Sequence, residues 1–187
     1  MPIGEGLSGK RRIAIIRSMR RIAMREVVIK ALLVDPSSNS PVVLLKDRHS
    51  KRALPIWIGE TEAISIAFGL QSEDFPRPLT HALMKEMLDD LHAHVEKVVI
   101  KEVRDNTYFA SIFLTDANGT LFEFDARPSD SLALSLRVGC PIYIADEVFE
   151  AAGIESPFAD EDEFQEFIEY ELDLNEFRRR SRSEGSE

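Results

Sequence analysis

The stretch from Asn118 to Pro141 constrains this chain most, because it contains a hairpin turn, a strand, a helix start and a helix stop in that order. Asn118-Gly119 is a pair typical of tight hairpin turns. Leu121, Phe122 and Phe124 follow in a short run that reads as a strand ending near Asp125. Arg127 precedes a proline and is biased to extended backbone. Pro128 suits the first helical position, where its missing N–H would have no intrahelical partner. Ser131 to Val138 then runs as a helix, with Gly139 placed to end it in a left-handed turn and Pro141 beyond, where a helix cannot continue. The junction gathers Asp125, Arg127, Ser129 and Asp130 at a helix N-terminus, whose unpaired N–H groups favour negative charge.

Upstream, Glu26 to Val34, Pro41 to Lys46 and Ala53 to Ile58 read as three strands. They are separated by Asp35-Pro36-Ser37-Ser38-Asn39-Ser40 and Asp47-Arg48-His49-Ser50, turns rich in residues that bond their own backbone or preset φ. Trp57 is expected as a core or rim aromatic. Glu60 to Leu70 has apolar residues at helical spacing, with Glu60 and Glu62 in the first turn. A second helix starts at Pro78 or Thr80, and Leu79, Leu83, Met84, Met87, Leu88 and Leu91 are expected on its buried face. Val95 to Val103 and Tyr108 to Leu114 are strands joined at Arg104-Asp105-Asn106-Thr107. Pro141 to Ile144 is a short strand and Asp146 to Ala152 a short helix.

Three parts follow from these patterns: a basic arm over 1–25, a domain over 26–153, and an acidic tail over 154–187. Lys10 to Arg25 carries several arginines and no acid. It reads as a solvated arm, with contact to an anionic surface or nucleic acid, or service as an organelle transit peptide, as alternatives. In the tail, Phe164, Phe167 and Ile168 form an apolar stripe that would dock on the domain or on another subunit, so a homo-oligomer is expected. Strands outnumber helices and the early strands form hairpins. The fold class expected is therefore α+β, with a mostly antiparallel, strongly curved sheet and helices packed against it.

With 33 acidic and 23 basic side chains, the formal charge of −10 argues against broad nonspecific adhesion to nucleic acid. The basic residues are concentrated before about Arg52, so a local basic or mixed-charge cleft stays open. No apolar run approaches the ~20 residues that span a bilayer, and no membrane association is expected. The single cysteine, Cys140, excludes an intrachain disulfide and fits a reducing, cytoplasmic setting. Its apolar neighbours suit a packed side chain rather than a nucleophile. His92 and His94 could share a strand face but lack acidic or cysteine partners at ligand spacing, and read as surface histidines. A phosphate-binding Gly-rich loop, a G-x-S-x-G elbow, an H-E-x-x-H helix and paired C-x-x-C motifs are all missing.

Three segments, Ile58-Gly59-Glu60-Thr61-Glu62-Ala63, Pro76-Arg77-Pro78-Leu79-Thr80-His81 and Asp125-Ala126-Arg127-Pro128-Ser129-Asp130-Ser131-Leu132-Ala133-Leu134, stand in an order that resembles the signature of the bifunctional nuclease domain family. The resemblance covers roughly Val27 to Gly153. It implies cleavage of both DNA and RNA, and it places Glu62 at the acidic position of the family motif.

The residue types fit that chemistry. Phosphodiester cleavage needs a positioned water, charge neutralisation at phosphorus and protonation of the leaving oxygen. Glu62, Asp125 and Asp130 are candidate general bases or hard oxygen ligands for magnesium or manganese. In two places an arginine stands directly before a proline at a helix start, with a hydroxyl residue after it. Arg77 with Thr80, and Arg127 with Ser129, are therefore candidates to hold phosphate, and His81 is the candidate proton donor. The alternative is a non-catalytic module that binds an anionic ligand or a protein partner through the same arginine-rich helix ends. There the carboxylates would serve only as salt-bridge partners.

Overall fold

Apolar runs broken by turn residues fold into eight strands and four helices in the computed structural model, which describes residues 23–72 and 77–156. In chain order these are β1 (Met24–Val34), β2 (Pro41–Asp47), β3 (Arg52–Trp57), α1 (Glu60–Leu70), α2 (Thr80–Asp90), β4 (His94–Arg104), β5 (Thr107–Thr115), β6 (Leu121–Ala126), α3 (Pro128–Val138), β7 (Ile142–Ala145), α4 (Asp146–Ala152) and β8 (Ile154–Glu155). Nearly all of the basic arm and of the acidic tail lie outside the described residues. The sheet reaches slightly beyond the expected domain: Met24 and Arg25 belong to β1, and Ile154 and Glu155 pair with β3.

The strand order is β6-β5-β4-β7-β1-β2-β3-β8. Two antiparallel meanders, β1-β2-β3 and β4-β5-β6, are joined by β7, which runs antiparallel to β1 and parallel to β4. The expectation of a mostly antiparallel α+β sheet holds. Strong curvature does not, because inserting β7 between the meanders makes one wide, open sheet that is not strongly curled. The hairpin between β4 and β5 turns at Asp105 and Asn106, both with positive φ (48° and 57°), as a two-residue turn matched to strand twist requires. Gly119 likewise takes φ 73° between β5 and β6.

One sheet face carries the core. Val43, Leu45, Leu54, Val98, Ile100, Ala110, Ile112 and Ile144 pack there against Ala63 and Ile66 of α1 and Leu132, Ala133 and Leu134 of α3. Small side chains let these two helices approach closely: a Cβ added at Gly69 would stand only 2.9 Å from the Cβ of Leu136. Pro128 opens α3 as expected and Gly139 closes it in the left-handed region.

Part of α2 departs from expectation. Only His81 is buried in this helix, and Leu88, half-buried, packs on the core. Leu83, Met84, Met87 and Leu91, read as buried, are exposed. The short α2 meets α3 along one side only, and its apolar pattern is wider than that contact.

Candidate active site

α1 and α3 touch near their starts through Glu62 and Arg127 and approach again at Gly69 and Leu136, so they run side by side in the same direction. The start of α2 joins them through His81 and Asp130. Three helix N-termini, one from each quoted segment, therefore converge at one place. Each presents backbone N–H groups without intrahelical acceptors and the positive end of a helix dipole.

Arg127 is the hub. Its Nε donates to Asp130 Oδ2 at 2.7 Å, and one terminal nitrogen donates both to Asp130 Oδ1 at 3.0 Å and to Glu62 Oε1 at 2.6 Å. Its other terminal nitrogen has no hydrogen-bond partner among the described residues, and the side chain is 66% exposed. The hydrogen bonds from Arg127 hold the Asp130 carboxyl below its usual range despite partial burial, and the same carboxylates raise the Arg127 pKa further. At neutral pH Asp130 is ionised.

Behind Asp130 stands a buried relay. His81 Nε2 lies 3.3 Å from Asp130 Oδ1, and His81 Nδ1 lies 2.8 Å from Ser65 Oγ. Ser65 has the composition of a serine nucleophile beside a histidine and an acid, but it is 4% exposed in the middle of α1, so no substrate reaches it. Its role is to fix the imidazole. The sequence signal for Ser65 was faint: a polar residue among the apolar positions of an amphipathic helix.

Gly59 was another residue the sequence did not single out. A Cβ there would stand 2.4 Å from Glu62 Oε2, so the glycine leaves room for the Glu62 carboxylate to fold back over the start of α1. Gly59→Ala should leave the thermal midpoint nearly unchanged, since only the flexible end of Glu62 has to move, while the Glu62 and Arg127 contact is displaced. A chemical-shift change at Arg127 Nε with an unchanged melting curve would show this.

Asp125 does not join the group. It is the register partner of Ser111, and its side chain lies on the same face. Ala110 and Ile112, on either side of Ser111, point into the core under the helices, so Ser111 and Asp125 face the opposite side of the sheet. There Lys101 Nζ sits 3.2 Å from Asp125 and 3.7 Å from Glu123, and donates to Ser111 Oγ at 2.7 Å. The set Glu62, Asp125 and Asp130 expected to ligate a metal is thus split across the sheet. No cluster of three or more His, Cys, Asp or Glu suited to a metal ion occurs among the described residues.

The other expected residues are placed as follows. Thr80 is the exposed first residue of α2 and makes no capping bond, whereas Ser129 is buried in the first turn of α3. Arg77 is exposed just before α2 and makes no ion pair among the described residues. His81 meets Asp130 rather than open solvent. Outside the site, Cys140 is half-buried, and loss of solvent pushes its thiol up to about 11, which keeps it protonated. His92 and His94 are exposed, and Trp57 lies at the rim with its Nε1 donating to Asp35 at 2.9 Å.

The model of the bifunctional nuclease domain matches residues 43–157, which include all four converging residues. The chain belongs to the bifunctional nuclease domain family. A relative of similar sequence is an uncharacterised protein of Mycobacterium tuberculosis (strain ATCC 25618 / H37Rv), 39% identical over 140 residues that make up 75% of this chain and 83% of that protein. Plant relatives are more distant. Bifunctional nuclease 2 of Oryza sativa subsp. japonica is 27% identical over 126 residues, 66% of this chain but 39% of the plant protein. Bifunctional nuclease 1 of Arabidopsis thaliana is 26% identical over 114 residues, covering 60% of this chain and 35% of its own length. No helix among the described residues of this bifunctional nuclease domain chain is long and apolar enough to cross a membrane.

Proposed function

We propose that this bifunctional nuclease domain hydrolyses phosphodiester bonds in DNA and RNA at the junction of α1, α2 and α3. The supporting observation is the convergence of Glu62, His81, Arg127 and Asp130 at three helix N-termini, with one Arg127 nitrogen left open to solvent. A phosphate there would accept hydrogen bonds from that nitrogen and from the backbone N–H groups of Ser129 and Asp130, which lack intrahelical acceptors. Glu62 is the carboxylate we assign to take a proton from the attacking water. The water oxygen bonds to phosphorus as the bond to the leaving oxygen breaks, and solvent returns the proton to that oxygen. Asp130 keeps Arg127 oriented, and the relay of His81 and Ser65 keeps Asp130 in place.

Magnesium or manganese is proposed as the cofactor, as the hard oxygen donors suggest. The fit is incomplete: of the three expected carboxylates only Glu62 and Asp130 share a site, and Arg127 already engages both. That same observation favours the second reading, a non-catalytic module in which the carboxylates balance Arg127 while its open edge binds an anionic ligand or protein partner.

Cleavage of labelled single-stranded RNA and duplex DNA, with magnesium, with manganese and with chelator, separates the two. The nuclease reading expects metal-dependent cutting that disappears in Asp130→Asn protein purified identically. Equal cutting by both proteins would place the activity elsewhere. Salt-sensitive RNA binding without cutting would support the second reading.

A further inference from the structure

The apolar side of α2 has no cover within this chain's described residues, and the charges at its ends say what fits it. Leu83, Met84, Met87 and Leu91 are 47%, 41%, 57% and 68% exposed. At 3.6 residues per turn all four fall within one stripe about 100° wide, its centre turned about 100° from His81 and Leu88, which pack toward α3 and the core. Contiguous exposed apolar patches of this kind mark interaction surfaces.

The helix is also charged against its own dipole. It has no acid in its first turn and no base in its last turn, where Asp89 and Asp90 stand beside carbonyl groups that favour cations. At the other end, Arg77 is exposed and makes no ion pair among the described residues. A partner that lays the start of one helix against the end of another relieves both mismatches. A second copy of α2, antiparallel to the first, does this twice by symmetry.

We propose that the protein forms a two-fold dimer through antiparallel α2 helices. With the axis near Lys85, Leu83 sits beside Met87 of the second copy. Arg77 comes within reach of Asp90 of the second copy, and the reverse contact forms as well. The stripe is the centre of this interface, with charged residues at its rim, the usual arrangement of association surfaces.

Sedimentation equilibrium of the full chain at tens of micromolar tests the proposal by mass alone, independently of any activity. The wild-type protein is expected at twice the 21.2 kDa chain mass. Met87→Glu, at an exposed position, is expected to give a monomer with an unchanged circular dichroism spectrum. Arg77→Asp and Asp90→Arg are each expected to weaken the dimer by about tenfold or more, because each brings like charges together. The double variant, with the charges exchanged, is expected to recover most of that loss. A monomeric wild type, a dimer that survives Met87→Glu, or failure of the double variant to recover would each overturn the proposal.

Discussion

Arg127→Ala is expected to lower the proposed phosphodiester cleavage by roughly 100- to 1,000-fold, the usual cost of removing one preorganised donor aimed at developing negative charge. The melting curve should change little, because the side chain is 66% exposed and ion pairs at such positions contribute little to stability. Two further consequences separate this from a generic loss of charge. Without the guanidinium, Glu62 and Asp130 lose the cation that holds them together, and the pKa of Asp130 should rise toward its ordinary value. Arg127→Lys should recover only a small part of the activity, since an ammonium cannot bridge both Asp130 oxygens and Glu62 from one planar fork. Single-turnover cleavage by the three proteins, alongside their thermal melts, checks this. Near wild-type cleavage by Arg127→Ala would remove Arg127 from the reaction.

The largest effect on stability is expected at Phe149. This α4 residue is fully buried, and the guanidinium groups of Arg25 and Arg52 lie over its ring at 5.1 and 5.3 Å. Arg25 also bonds Asp146 at 3.0 Å and Glu150 at 2.6 Å. Arg52 bonds Glu150 at 2.7 Å and the Phe149 carbonyl at 3.2 Å. Phe149→Ala should therefore cost about 3–5 kcal/mol from lost burial and the remaining cavity, before any loss of the cation–π contacts. Phe149→Leu keeps most of the apolar volume and should cost less. Urea unfolding of the two variants measures both, and a cost below about 1 kcal/mol for alanine would show that the arginines and acids hold α4 without the ring.

The sequence was most legible where local chemistry decides the structure. α1 and α4 begin and end at the expected residues, and Pro128, Gly139 and Gly119 act as the punctuation their backbone preferences require. It was least legible where distant segments decide. The short strand at Ile142–Ala145 was readable, but its place between β4 and β1 depends on partners over forty positions away, and that placement is what opens the sheet. The displacement of Asp125 had a readable signal. Phe122 packs on the core, so a period of two puts Asp125 on the opposite face. Proximity in sequence to Arg127 and Asp130 obscured it. The meeting of Glu62, His81 and Asp130 had no local signal, because it requires α1 and α3 to lie side by side.

The late position of β7 also orders the birth of the protein. During synthesis β1 to β6 emerge first, and the inner edges of β1 and β4 stay unsatisfied until Ala145 has left the ribosome. Arg127 and Asp130 precede the start of that closing strand at Ile142 by 15 and 12 residues, so a nascent chain completes its candidate site and seals its sheet in close succession.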